Sequence, residues 1–253
     1  MQKVNVYKTN GTTSEKIDLP EIFDTEFRPD IIKKSFDVLR SNSRKPYGAS
    51  PTAGTKHATA SVGKGRGMSR VPRLTQGRQA ALAPCVVGGR RAHPPKSERI
   101  WKEKINKKEK MLAKKSALAA TSQKELVLKR GHKFDEKITV PVIVEDKLDE
   151  INKTKDLIKT LEKIGVYDDI LRSENGKHIR AGKGKSRGRK YKRPKSILIV
   201  SNNKSIKKSA NNLSGVDVVN PIEIDISHLA PGGNPGRLTV LTKSALKEIG
   251  GKK

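Results

Sequence analysis

PKSILIVSN, residues 194–202, is the stretch whose reading decides the fold. Ser196 to Val200 (SILIV) is a short, continuous apolar run of mostly branched side chains, bounded by Pro194 and Asn202. A run of that length without polar alternation reads as a strand buried on both faces, as in a parallel sheet. Downstream, Ser205 to Leu213 predicts a short cationic helix, and Val216 to Val219 (VDVV) and Leu238 to Thr242 (LTVLT) two more strands. Ser244 to Ile249 predicts a closing helix.

Upstream, Val4 to Lys8 (VNVYK) alternates as a strand, and Ile31, Ile32, Phe36 and Leu39 recur at helical spacing. Ile138 to Val144 (ITVPVIV) is strand-like, but Pro141 argues against a central place in a sheet. Asp146 is a candidate N-cap for a long helix with Leu148, Ile151, Leu157, Ile158, Leu161 and Ile164 on one face. Lys163 suits its C-terminal dipole, and Gly165 stops it. Strands alternating with helices predict an α/β fold, a mostly parallel sheet with helices on both faces. The expected domain comprises residues 1–40 and 98–253. Within it, Glu98 to Ala120 carries Trp101, Ile105, Leu112 and Leu118 among many lysines. That pattern fits a surface helix or a helix lying on RNA, and the two are compatible.

The 253 residues include 55 Lys and Arg against 26 Asp and Glu, a formal net charge of +29. So much like charge in one compact body repels itself unless a polyanion neutralises it, and nucleic acid is the natural candidate. The apolar fraction of 33% leaves too little for a core spread over the whole chain. One cysteine, Cys85, rules out an internal disulfide and a Cys-based zinc site, and fits a reducing, cytoplasmic compartment. No apolar run approaches the length of a membrane span, and the first residues lack a secretion signal.

The charge is segregated. From Ser41 to Ser97 there is no acid, but there are eleven bases: Arg44, Lys45, Lys56, Lys64, Arg66, Arg70, Arg73, Arg78, Arg90, Arg91 and Lys96. A second acid-free segment, Asn175 to Val216, holds Lys177, Arg180, Lys183, Lys185, Arg187, Arg189, Lys190, Lys192, Arg193, Lys195, Lys204, Lys207 and Lys208. A solvated helix face would mix signs to gain i,i+4 pairing, and these segments exclude the partner entirely. Glycines and prolines interrupt the first segment so often that no helix or ladder is expected to survive. Disorder is the default for such a chain alone, and a surface rich in phosphates is what orders it. Two extended limbs of this segment reach at most roughly 90 Å. Its arginines suit stacking on bases and gripping phosphates. Residues 41–97 thus read as an inserted basic loop and 175–195 as a second RNA-binding loop.

Catalytic signatures are weak. Gly63, Gly65 and Gly67 imitate a dinucleotide loop, but no strand precedes them and Pro72 blocks a following helix. Gly184-Lys185-Ser186 resembles a phosphate-binding loop, yet Ile179 stands where its first glycine belongs. His57, His93, His132, His178 and His228 have no metal or relay spacing, and the adjacent Asp168 and Asp169 read as surface groups. No catalytic residue, metal or cofactor is expected. The alternative is an RNA-modifying enzyme with a nucleotide-binding-like α/β domain; a DNA-compacting protein shares the charge but lacks a groove-reading helix.

The stretches GRGMSRVPRL (65–74), CVVGGRRAHPP (85–95), LEKIGVYDDILR (161–172), IRAGKGKSRGRKYKRPKSILIV (179–200), VDVVNP (216–221) and LAPGGNPGRLTVLTKSAL (229–246) together resemble the universal large-subunit ribosomal protein number four family. The resemblance is to its archaeal and eukaryotic form, spans nearly the whole chain, and favours an archaeal origin because a long C-terminal extension is lacking. It implies a structural component of the large ribosomal subunit that binds large-subunit ribosomal RNA, touches neighbouring ribosomal proteins, and helps in assembly. It further implies that the loop 41–97 lines the exit tunnel of the nascent polypeptide, with Gly67, Met68, Ser69, Arg70 and Val71 at its tip. The second loop, with Lys183, Lys185, Arg187, Arg189, Lys190, Lys192 and Arg193, also meets RNA in that family.

Overall fold

The structure, a computed structural model, describes residues 2–203 and 205–251, so Lys204 of the second acid-free segment lies outside the described residues. The chain divides into two compact units, Met1–Arg40 with Lys104–Lys253, and Ser41–Glu103. Strands β1 (Lys3–Tyr7) and β2 (Thr13–Asp18) open the first unit; β3 (Thr59–Ala60) and β4 (Arg73–Leu74) belong to the second. Then follow β5 (Val142–Val144), β6 (His178–Ile179), β7 (Tyr191–Lys192), β8 (Leu198–Val200), β9 (Asp217–Val219) and β10 (Thr239–Thr242). The helices are α1 (Pro29–Asn42), α2 (Lys107–Ser122), α3 (Lys124–Lys129), α4 (Thr154–Ile164), α5 (Tyr167–Asn175), α6 (Ser205–Ala210), α7 (Ile226–Leu229) and α8 (Lys243–Gly250).

A six-stranded sheet runs β2-β1-β5-β10-β8-β9, antiparallel only at the β1/β2 edge. Because successive side chains on a strand point to opposite faces, each central strand feeds two cores. Ile143, Leu198, Val200 and Leu241 pack on one face with Ile32 of α1, Ala113 and Ala117 of α2, Leu229 of α7 and Leu246 of α8. Val142, Val144, Ile199 and Val240 pack on the other with Leu157 and Leu161 of α4, Ile170 of α5 and Ile206 of α6. Burial on both faces is the physical reason the SILIV run shows no alternation, and the mostly parallel sheet with helices on both faces is the one read from it.

Two expectations need correction. Pro141 does not demote its strand: the ladder begins one residue later, at Val142, so the missing N–H is never needed and β5 sits between β1 and β10. The long helix expected from Asp146 is two elements, a 3-10 turn Asp146–Glu150 and, after an extended link, α4. No apolar residue stands at 154 or 155, where a face continuing from Ile151 needs one, so the helix restarts. Asp146 instead accepts a hydrogen bond from the Ser244 N–H at the start of α8 (2.8 Å). Gly165 does end α4, in the left-handed conformation with φ 85°.

Ile199 is fully buried on a central strand. Ile199→Ala is expected to lower stability by about 2–5 kcal/mol, seen as a lower urea midpoint at unchanged m-value.

Candidate nucleic-acid interface

The second unit, Ser41–Glu103, is two limbs lying side by side. At the open end Ser41 Oγ donates to the Trp101 carbonyl (2.7 Å), and Asn42 and Glu103 exchange bonds, Asn42 Nδ2 to Glu103 O (3.1 Å) and Glu103 N–H to Asn42 Oδ1 (2.9 Å). Further along, Ala49 N–H donates to Pro95 O (2.9 Å). The limbs meet there backbone to backbone. A Cβ on Gly48 would sit 2.6 Å from Ser97 N, and one on Gly54, whose φ is +76°, 2.6 Å from Arg90 Cα. Beyond this, β3 pairs with β4 and Arg73 bridges to Ala80.

The expectation that no ladder survives the glycines and prolines is therefore corrected. A two-residue pair fits between them, because Gly63, Gly65, Gly67 and Pro72 lie in the turn rather than in the strands. Trp101, expected on a helix, is also corrected. Residues 98–106 are irregular and α2 begins at Lys107, so the indole belongs to the limb end.

In the first unit the segment 175–195 is a hairpin. β6 pairs with β7, and a 3-10 turn, Lys183–Ser186, rounds its end. Lys177 and Lys190 hold their ammonium groups 4.5 and 5.5 Å from the Tyr191 ring centroid, leaving an exposed aromatic flanked by cations. The Gly184-Lys185-Ser186 motif lies in that turn between two short strands and not between a strand and a helix. Gly63, Gly65 and Gly67 likewise have no helix after them.

The hairpin's ends are held from α5. Arg172 donates to the Lys195 carbonyl (2.9 Å) and Ser173 Oγ to that of Pro194 (2.7 Å). Arg172 is itself oriented by Asp169, which is fully buried, correcting its reading as a surface group; Asp168 beside it is exposed. Asp169 accepts from Arg172 Nε (2.8 Å), Ser196 Oγ (2.8 Å), His132 Nδ1 (2.9 Å) and the Lys133 N–H (3.0 Å). Burial alone would raise its pKa, but the hydrogen bonds from His132 and Arg172 outweigh it and hold the carboxyl well below the usual range. Burial pushes His132 down, so a neutral imidazole donates its Nδ1–H to the carboxylate.

A second ion pair stands nearby, its arginine wholly buried and its carboxylate partly so. Arg237, with no exposed surface, bonds to Asp217 (2.7 Å) and to the carbonyls of Ser196, Ile197, Gly215 and His228. Asp217 also takes Lys195 (2.8 Å). Burial among Arg237 and Arg172 pulls Arg130 down to about 10.

Against this paired interior stand the sequence-predicted RNA contacts. Arg44, Lys45, Lys56, Lys64, Arg66, Arg70, Arg78, Arg90, Arg91 and Lys96 are exposed, as are Lys183, Lys185, Arg187, Arg189, Lys190, Lys192 and Arg193. None of them makes an ion pair among the described residues. Arg73 differs: it is partly buried, and its guanidinium donates to the carbonyls of Arg78 (2.6 Å) and Ser69 (3.4 Å), so it shapes the turn from within. Of the expected tip, Gly67, Met68, Ser69 and Arg70 are exposed and Val71 is partly covered. Cys85 is exposed and free. Among the described residues no group of three or more His, Cys, Asp or Glu could hold a metal, and no helix is long and apolar enough to cross a membrane.

Residues 17–252 match the Ribosomal protein L4/L1 family. The chain belongs to that family. Its relatives include the large ribosomal subunit protein uL4 of Methanocaldococcus jannaschii, 50% identical over 248 residues, 98% of each chain. They also include the proteins of the same name from Thermoplasma acidophilum (47% over 247 residues, 98% of this chain and 97% of the relative) and Archaeoglobus fulgidus (47% over 249 residues, 98% of each). The L4/L1 match runs through both units, so the limbs and the hairpin are part of what makes the chain a family member, and the archaeal resemblance read from its motifs holds.

Removing Asp169 strands its buried partners. Asp169→Ala is expected to cost about 3–5 kcal/mol in urea unfolding. With its folded pKa depressed, Asp169 stabilises above the ordinary carboxylate range and loses that contribution as pH falls below about 4. His132 adds a slope higher up, since the unfolded chain takes a proton near about pH 6.5 that the fold disfavours. The urea midpoint should therefore fall from pH 7 to pH 5, and fall less in His132→Gln, His228 supplying the remainder because burial lowers it too.

Proposed function

We propose that the chain is a structural, non-catalytic component of the large ribosomal subunit that binds large-subunit ribosomal RNA. The observation that carries this reading is the set of exposed Lys and Arg on the limbs and hairpin without a carboxylate partner, in a family whose relatives are named large ribosomal subunit proteins. Cations presented in this way are matched by a polyphosphate: each contact releases condensed counterions, so affinity depends steeply on salt. The hairpin, clamped at Pro194 and Lys195, is a rigid presenter. The limbs bury little, and their tip glycines have no neighbour that a Cβ would touch, so their final path follows the RNA.

In this reading the protein works in the cytoplasm within the subunit, beside neighbouring ribosomal proteins. It contributes to assembly, and residues 67–71 of the first limb pair face the nascent polypeptide in the exit tunnel. An α/β sheet does not by itself favour an RNA-modifying enzyme, since neither glycine motif lies at a strand-to-helix turn.

The test is binding to large-subunit RNA together with sedimentation. If six to ten phosphates are contacted, affinity should drop about 10³- to 10⁵-fold between 50 and 200 mM salt. Replacing Lys185, Arg187 and Arg189 together by alanine should reduce the slope of log affinity against log salt by about 3. A native protein found apart from large-subunit particles, with no salt-dependent RNA binding, would overturn the reading.

A further inference from the structure

At the open end of the limbs an aromatic pair sits over a cavity of about 690 Å³. Trp101 and Tyr47 face each other nearly parallel, interplanar angle 15°, ring centroids 6.5 Å apart, within the range of offset stacks. The guanidinium carbons of Arg99 and Arg44 stand 4.4 and 4.8 Å from the Trp101 centroid. The cavity is walled by Tyr47, Trp101, Pro94, Pro95, Arg91 and Arg99 in its greater part, with Lys96, His93 and one carboxylate, Glu98.

We propose that this cavity receives a single unstacked nucleobase of the bound RNA, which rests on Trp101 while Arg91 and Arg99 take the flanking phosphates. The proposal rests on the RNA-binding reading and names the part of the RNA that this site takes. Three observations carry it. First, the site is flat, aromatic and cationic together, and a nucleotide is flat, aromatic and anionic. Stacking uses the π-face that every base has, and aromatic rings and Arg guanidinium planes are the usual platform for a splayed base.

Second, the position over the ring is already taken by planar, delocalised groups. Two guanidiniums crowd one indole, and neither Arg44 nor Arg99 makes an ion pair among the described residues. Their mutual repulsion is relieved when one of them swings to a phosphate and leaves its place over the ring to the base. Third, the platform is built before the ligand comes. The Trp101 carbonyl is fixed by Ser41, Glu103 is locked to Asn42, and Pro95 is tied to Ala49. Tyr47, by contrast, is 63% exposed, far more than a ring placed only for packing needs. A neighbouring protein's side chain would gain from the aromatic pair but leave the surrounding cations unmatched, so the base is the better occupant.

Trp101 is the sole tryptophan of the chain, so its fluorescence reports on this site alone. The experiment titrates the full chain with large-subunit ribosomal RNA of Methanocaldococcus jannaschii, following Trp101 emission and, separately, filter-binding affinity across salt. Saturable quenching is expected, with a loss of about 5- to 150-fold in affinity for Trp101→Leu and near-native affinity for Trp101→Phe. Tyr47→Leu, at an exposed ring that makes no hydrogen bond among the described residues, serves as a second variant should Trp101→Leu fold poorly, and should also weaken binding. Salt-dependent RNA binding with unchanged Trp101 emission, or with native affinity in both leucine variants, would overturn the base site and leave the RNA-binding reading standing. No RNA binding even at low salt would remove both.

Discussion

Carboxylates are scarce in this chain, 26 acids against 55 bases, and where the fold places them decides what each part can do. Asp169 and Asp217 are drawn into the α/β unit, where each gathers several donors and pins backbone that would otherwise be loose. Breaking a buried pair leaves a desolvated charge behind, so these two sites lock the arrangement of α5, β8 and β9 around them. None is spared for the limb pair from 41 to 97 or the hairpin turn, and their cations stay open to an outside anion. One allocation of charge thus produces both a self-contained scaffold and surfaces that are electrostatically incomplete.

The two kinds of region are joined most directly at α5. Its buried face carries Ile170 and Asp169, and the turn beyond carries Arg172 and Ser173, whose donors seize the carbonyls where the hairpin rejoins the sheet. Core packing therefore reaches the cation-bearing hairpin through two residues. Holding an exposed element on a rigid support in this way lowers the entropy lost in ordering it. The limbs take another route, held by short strand pairings, close backbone contacts and a few side-chain bonds such as those of Ser41, Asn42 and Arg73.

Much of the scaffold is legible in the amino-acid order because it follows from local periodicity. Ile197, Leu198, Ile199 and Val200 announce a strand covered on both faces, and Leu157, Leu161 and Ile164 announce α4. Charge segregation is equally plain, since it needs no three-dimensional knowledge to see that a segment lacks acids. What escapes is whatever depends on distant partners. Asp169 looks like its exposed neighbour Asp168 until α5 turns it toward His132, 37 residues earlier, and Ser196, 27 residues later. Arg237 gives no local sign of being wholly covered, and Trp101 mimics a helical apolar residue until the limb end bonds to its carbonyl. Pro141 misleads for the opposite reason: a breaker matters only if its own N–H faces a ladder.

The strand order carries a consequence for the order of synthesis. β10, the last of the described strands in chain order, lies in the middle of the sheet, between β5 and β8. Until residues 239–242 have left the decoding machinery, the leading half of the sheet, β2, β1 and β5, has no bridge to the trailing half, β8 and β9. Such long-range closure is slow and leaves apolar edges uncovered meanwhile. Between the making of β9 and that of β10, a newborn copy of this chain therefore carries two half-sheets open along the very seam that β10 will fill.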